Sequence, residues 1–303
     1  MKSIKQNFGY VLKSIEKDKT LTKKLSNLKG KTFIISGASR GIGLNIAEKL
    51  VKNEANVVIT GKTVKPNPKL EGTLFTAEKY LKNFCKENKV LSVVCDIRNN
   101  NNINNAVYET IDKFGSIDGV VLNASALCLK DTFSVTKKDI DLMNEINING
   151  TFLFGQKCIQ HMKYGKNKNG HVLVISPPIN MLYNDKWWKN HLYYSMSKFN
   201  MSLMAKFWNS EFDNIGVNTL WPRTTINTAP VRNILGGEDM VSISRTVDIM
   251  GDAANHILAS DPKKCNGKNF IDDEVLVSVD VDVEQYRVDP EINEKDLMPD
   301  FFC

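Results

Sequence analysis

Ser36-Gly37-Ala38-Ser39-Arg40-Gly41-Ile42-Gly43 follows the apolar run Thr32-Phe33-Ile34-Ile35 and leads into Leu44-Asn45-Ile46-Ala47-Glu48-Lys49-Leu50. The order is strand, glycine-rich turn, amphipathic helix. Such a turn aims backbone N–H groups and the positive end of a helix at one point, where a dinucleotide pyrophosphate can sit. Glycine suits it because a Cβ would hold the backbone away from a phosphate. The spacing is G-x-x-x-G-x-G rather than G-x-G-x-x-G. A glycine-rich turn alone also occurs as an ordinary strand–helix connection. The rest of the chain decides between the two.

Working outward, short apolar runs at 32–36, 56–60, 90–95, 118–123, 171–176, 215–220 and 269–271 read as strands. Helical patterns alternate with them at 42–53, 74–87, 101–114, 136–164, 193–213 and 247–260. This alternation predicts a parallel sheet covered by helices on both faces, a doubly wound Rossmann-type α/β fold. The 303 residues, 42% of them hydrophobic, suit one such domain over 30–280 and are short for two. No run approaches the roughly 18–20 apolar residues of a membrane span. The six cysteines are scattered, with no C-x-x-C pair, and read as reduced thiols of an intracellular protein.

The formal net charge of +6 is local. Residues 1–30 hold 8 lysines against Glu16 and Asp18, and the remaining 32 bases and 32 acids cancel. A general nucleic-acid surface is therefore not implied. Ile4, Phe8, Val11 and Ile15 share one helical face, so 1–29 reads as a basic extension. It is either a targeting helix or an arm packed on the body, and its lack of arginine argues against a transit peptide. Asn99 to Asn102 reads as a surface run at a helix start. The acidic segment 281–303 ends Pro299-Asp300-Phe301-Phe302-Cys303. It is expected to wrap the domain or a partner subunit, with its two phenylalanines as anchor. Phe301-Phe302-Cys303 is not a peroxisomal tripeptide, which leaves mitochondrion and cytosol open.

Five features carry chemistry. The glycine turn is the first. The second is the end of strand two, Val57-Val58-Ile59-Thr60-Gly61-Lys62-Thr63. An acid there would bind a ribose 2′-hydroxyl, whereas Lys62 with Arg40 would pair with a 2′-phosphate, predicting NADP(H). The alternative makes both bases solvated surface charges. The third is Cys95-Asp96-Ile97, whose carboxylate suits an adenine amino group or a plain turn. The fourth is Leu122-Asn123-Ala124-Ser125, small residues that let the chain pass beside a cofactor. The fifth is Tyr194-Ser195-Met196-Ser197-Lys198, with Tyr and Lys on one helical face. A free phenol has a pKa of about 10. A nearby ammonium and an oxidised nicotinamide would favour the phenolate and lower it.

In order and spacing these residues resemble the short-chain dehydrogenase/reductase family across about 30–275. The resemblance implies that Gly37, Ser39, Arg40, Gly41, Ile42, Gly43, Lys62, Asp96, Ile97, Asn123, Ala124, Tyr194, Lys198, Pro222 and Thr225 bind the cofactor. It implies Tyr194 as general acid, Lys198 as the residue that binds the ribose and lowers the tyrosine pKa, and Asn147 as holder of a proton-relay water. It implies no metal. The helices near 101–114 and 136–164 match those that pair subunits, implying a homodimer or homotetramer. The insert Pro66 to Thr73, Ile175-Ser176-Pro177-Pro178, Leu220-Trp221-Pro222-Arg223-Thr224, Leu235-Gly236-Gly237 and the Pro299–Phe302 tail are similar to a lipid and fatty-acyl branch of the family. Longer members of that branch carry a C-terminal sterol-carrier domain, which is not expected in these 303 residues.

The chain departs from the family where its catalytic serine belongs. The usual register gives Pro177, which has no hydroxyl. Ser176 is the candidate catalytic replacement, with Ser125, Asn180 and Tyr183 as other donors. The first Asn of the family's N-N-A-G motif is Leu122. Arg223 reads as an anion holder or a surface ion pair. The loop before Tyr194 is longer than usual, and its Trp187 and Trp188 either line an apolar pocket or pack at the loop or a subunit interface. His191 reads as structural. Segment 225–246, with Gly236 and Gly237, occupies the place of a substrate lid. The expected function is an NADP(H)-dependent oxidoreductase acting on a carbonyl or alcohol of an apolar, lipid-like small molecule. The alternative is a non-catalytic NADPH-binding protein.

Overall fold

The computed structural model describes residues 17–67, 70–85, 88–165, 169–183 and 190–303. The sheet contains β1 (Thr32–Ser36), β2 (Asn56–Gly61), β3 (Val90–Val94), β4 (Gly119–Leu122), β5 (Gly170–Ile175), β6 (Ile215–Trp221) and β7 (Asn269–Ile271). They lie in the order β3-β2-β1-β4-β5-β6-β7, and every neighbouring pair is parallel. β1, β5 and β6 are buried along their whole length, which accounts for their unbroken apolar runs.

The helices are α1 (Gly41–Lys52), α2 (Leu74–Leu81), α3 (Asn100–Phe114), α4 (Lys137–Met143), α5 (Thr151–Tyr164), α6 (Leu192–Glu211), α7 (Gly237–Ser242), α8 (Asp248–Leu258) and α9 (Asp272–Ser278). One core joins α1, α2, α8 and α9 to one sheet face through residues such as Ile35, Ile46, Leu74, Ile257 and Leu276. A second core joins α3, α5 and α6 to the other face through Ile34, Ile103, Phe154, Val174 and Met201. The fold is the doubly wound sheet expected from the sequence.

The long helix expected over 136–164 is interrupted. Between α4 and α5 the backbone widens into a π-helical stretch, Asn144–Gly150. An apolar period cannot reveal it, because the widening lasts only seven residues. The short α7 and α9 escape a search for long periodic runs. Asn99 caps α3, its side chain accepting from the N–H groups of Asn101 and Asn102, so that part of the asparagine run is structural.

Residues 17–23 lie against the C-terminal ends of α8 and α9, and residues 26–28 against the end of α1. Leu21 and Leu28 are buried, the Thr22 N–H donates to Ser260 Oγ (3.2 Å), and Lys23 pairs with Asp280 at 2.7 Å. Ile4, Phe8, Val11 and Ile15 lie outside the described residues, as do Trp187 and Trp188. Among the described residues, no helix is long and apolar enough to cross a membrane.

Candidate active site

The strand order reverses between β1 and β4, which opens a crevice at their carboxyl ends. The glycine turn borders it. Gly37 has φ +67°, and a Cβ there would lie 2.9 Å from Ala124 Cα. A Cβ on Gly43 would lie 2.5 Å from Asn123 Nδ2, so this glycine lets α1 close on the turn. Gly41, at φ +57°, faces open space, with only Thr228 Cγ2 at 3.7 Å from a built Cβ. Asn123 fastens the turn from β4: its Nδ2 donates to the Ser36 and Gly37 carbonyls, both at 3.0 Å.

From this turn a cavity of about 480 Å³ runs to α6. Gly37, Ser39, Arg40, Gly41, Ile42, Lys62, Asp96, Ile97, Asn123, Ala124, Tyr194, Lys198 and Pro222 all line it. Larger clefts of about 700 and 580 Å³ lie over α3 and α5 and beside α2, away from Tyr194 and Lys198. Residues of the 225–246 segment, among them Ile226, Pro230, Val231 and Leu235, form another wall.

Four expected site residues do not line the cavity: Gly43, Asn147, Ser176 and Thr225. Thr225 Oγ1 turns to Ser244 Oγ, 2.7 Å away. Asn147 sits in the π-helical stretch, fully buried. Its Nδ2 donates to the Ala126 carbonyl (3.0 Å) and to Ser197 Oγ (2.9 Å), and its Oδ1 accepts from the Ala126 N–H (2.7 Å) and Ser125 Oγ (3.1 Å). It thus ties the β4 end to α6. Ser176 is fully buried, and its hydroxyl has no hydrogen-bond partner among the described residues. Pro177 is also buried, its carbonyl accepting from Ser202 Oγ at 2.6 Å. Of the other donors considered, Ser125 lines the cavity and Asn180 is exposed.

Charges are arranged at both ends. Arg40 donates to the Glu71 carbonyl (2.9 Å) and the Gly72 carbonyl (2.6 Å), which draws the insert after β2 over the turn. Arg98 forks onto Asp96, and this holds the Asp96 carboxyl below its ordinary range. Arg223 is ion-paired with Asp273 (3.1 Å) and with Glu274. At the α6 end, Lys198 Nζ donates to the Ile175 carbonyl at 2.7 Å and stands 5.1 Å over the Trp221 ring. Burial pushes Lys198 down to about 7, against the pull of Asp300. Burial, and then the Asp300 charge, push the Tyr194 phenol well up. In the protein without cofactor, burial dominates at both groups and disfavours the phenolate and the ammonium alike.

Sequence reading missed Asp300 and Phe301 as wall residues. The Asp300 N–H donates to the Arg223 carbonyl (3.0 Å), and Thr225 N–H to the Met298 carbonyl (2.8 Å). Phe302 is fully buried between Phe199 and Trp221, with ring centroids 5.0 and 6.0 Å away. Phe301 meets the rings of His191 (4.8 Å) and Tyr194 (6.3 Å) edge-on. His191 Nδ1 lies 3.1 Å from Ser195 Oγ.

The short chain dehydrogenase family model matches residues 31–235, the segment that carries the glycine turn, Tyr194 and Lys198. The chain belongs to the short-chain dehydrogenase/reductase family. Members of this family are oxidoreductases that bind a nicotinamide cofactor. Over 277 residues the chain is 43% identical to hydroxysteroid dehydrogenase-like protein 2 of Xenopus tropicalis, covering 91% of this chain and 64% of that protein. It is 41% identical to the Homo sapiens protein of the same name, with the same coverage. It thus spans 64% of the length of these relatives. A short chain dehydrogenase structure from Mycobacterium thermoresistibile superposes with a TM-score of 0.81 at 39% identity, covering 90% of this chain and 95% of that one.

Proposed function

We propose that the chain is an NADP(H)-dependent oxidoreductase that interconverts a carbonyl and an alcohol on an apolar, lipid-like molecule. The observation that carries this reading is one cavity lined at one end by the glycine turn and at the other by Tyr194 and Lys198. The residues fit a nicotinamide dinucleotide. Gly41 leaves open space before the N-terminus of α1, where backbone N–H groups suit a pyrophosphate. Lys62, just after β2, and Arg40, in the glycine turn, line the same cavity and are cations that would suit a 2′-phosphate. When bound, the cofactor supplies or accepts the hydride.

The chain's own residues manage the proton and the geometry. The Tyr194 phenol gives its proton to the substrate oxygen during reduction and takes it back during oxidation. Lys198, fixed by the Ile175 carbonyl, orients the ribose beside the phenol. Asn147 holds the β4 end and α6 in register through Ala126 and Ser197. Phe301, Leu127, Ile146 and Trp221 give the remaining wall its apolar character, which supports an apolar substrate. Phe152 and Phe207, on α5 and α6, are 39% and 68% exposed, which supports self-association as a homodimer or homotetramer.

The test is NADPH against NADH binding by fluorescence, then cofactor oxidation with a panel of acyl and ring carbonyls. Tight NADPH binding with turnover supports the reading. Tyr194→Phe should then keep NADPH affinity and lose turnover by about 10²–10⁴-fold. A second reading, a non-catalytic NADPH binder, is favoured by Pro177 and by the buried Ser176 hydroxyl. NADPH binding with no turnover on any carbonyl selects it.

A further inference from the structure

We propose that Asp300, carried into the cavity by the C-terminal segment, is the second hydrogen-bond donor to the substrate oxygen, in place of the hydroxyl that Pro177 lacks. The inference rests on the reductase reading above.

An oxygen that gains charge during reaction is stabilised best by donors fixed in advance. Tyr194 is one. Among the described residues, several other polar groups of the cavity wall are committed elsewhere. Ser125 Oγ donates to Asn147 Oδ1 at 3.1 Å. Asn123 Nδ2 serves the Ser36 and Gly37 carbonyls. Trp221 Nε1 donates to the Phe301 carbonyl at 2.8 Å. The Ser176 hydroxyl does not reach the cavity. Asp300 lines the same cavity as Tyr194 and Lys198, and its backbone is fixed by the Arg223 carbonyl and the buried Phe302.

An ionised carboxylate only accepts, but a neutral carboxylic acid has an O–H to donate. The ionisable groups acting on Asp300 are Lys198 and Tyr194 on α6, Asp272 on α9 and Cys303 in its own segment. The Arg223 guanidinium is turned to Asp273 and Glu274. Burial first, then the Asp272 charge, push Asp300 up to about 8, while the Phe301 N–H and Lys198 oppose this. These effects favour the protonated, neutral carboxyl. It donates a hydrogen bond throughout, and no bond of its own is made or broken.

The experiment is a ¹³C NMR titration of the aspartate carboxyls in the full chain, with Asp300→Asn assigning the signal. A carboxyl midpoint near 8, absent from the variant, is the expected result. A midpoint near the ordinary value of about 4 overturns the proposal. Carbonyl reduction at pH 6.5 follows. Asp300→Asn still offers an N–H and should stay within about fivefold, whereas Asp300→Leu should lose about 10²–10³-fold in kcat at similar NADPH affinity. Equal losses in both variants, or none in Asp300→Leu, overturn the donor role. If Asp300→Leu releases the segment, the Asn variant and the titration decide. A wild-type chain that binds NADPH and reduces no carbonyl overturns the reductase reading, and the titration still judges Asp300.

Discussion

Phe302→Ala tests how the C-terminal segment is held. The ring is fully buried against Phe199 and Trp221. Truncating such a phenylalanine costs about 3–5 kcal/mol when the surroundings keep the hole. The segment need not keep it. Among the described residues, the hydrogen bonds that fasten residues 298–301 include four: Thr225 N to Met298 O (2.8 Å), Met298 N to Ile243 O (2.9 Å), Asp300 N to Arg223 O (3.0 Å) and Trp221 Nε1 to Phe301 O (2.8 Å). At about 0.5–1.5 kcal/mol net apiece they contribute about 2–6 kcal/mol together. The ring and the four bonds are thus of similar size, and removing the ring tips the segment toward release. A loss of about 3–5 kcal/mol lowers the docked-to-free ratio by about 10²–10⁴. Hydrogen exchange read by mass spectrometry on the full chain is the assay. Met298 and Asp300 should lose protection while β1, β4 and β5 keep theirs. Unchanged protection at Met298 and Asp300 with a melting temperature several degrees lower would refute the reasoning, because the whole domain would then carry the cost.

His171 is buried, with Nε2 2.9 Å from the Ser260 carbonyl, and burial pushes it down to about 4. Its neutral form is native, so its contribution is full above about pH 6.5 and is lost as pH falls toward 4; it amounts to about 3 kcal/mol. Urea melts at pH 7 and pH 4.5 should show this drop in the wild type and much less of it in His171→Asn. Gly43→Ala puts a Cβ 2.5 Å from Asn123 Nδ2 and 2.8 Å from the Gly37 carbonyl. The turn must shift, and NADPH affinity by fluorescence titration should fall at least about tenfold, the equivalent of 1.4 kcal/mol. Lys62→Glu places an acid where a 2′-phosphate would lie, and should move the NADPH-to-NADH affinity ratio toward NADH by about 10–100-fold through lost attraction and new repulsion.

The sheet was legible because β1, β5 and β6 are buried on both faces, so their apolar runs stand out against the helices. The glycine turn, Asp96, Asn123, Tyr194 and Lys198 were legible because each sits at a strand end or opens a helix, where local spacing fixes its place. Ser176 was not. Ile175 lines the cavity, and strand alternation turns the next side chain away from it. Asp300 was not legible either, because bonds to Arg223 and Trp221, nearly eighty residues earlier, set its position. The burial of Tyr194 and Lys198 was not legible either: sequence shows a neighbouring lysine but not how deeply both groups are buried.

The π-helical stretch bears on insertions and deletions. One residue turns an α-helix by about 100°. Deleting a single residue within Asn144–Gly150 would let α4 and α5 merge into one regular helix, and would swing Asn147 about a third of a turn from Ala126 and Ser197. The link between the β4 end and α6 therefore depends on chain length at this point as much as on the asparagine itself. A length change that an exposed loop would absorb would here uncouple two walls of the cavity.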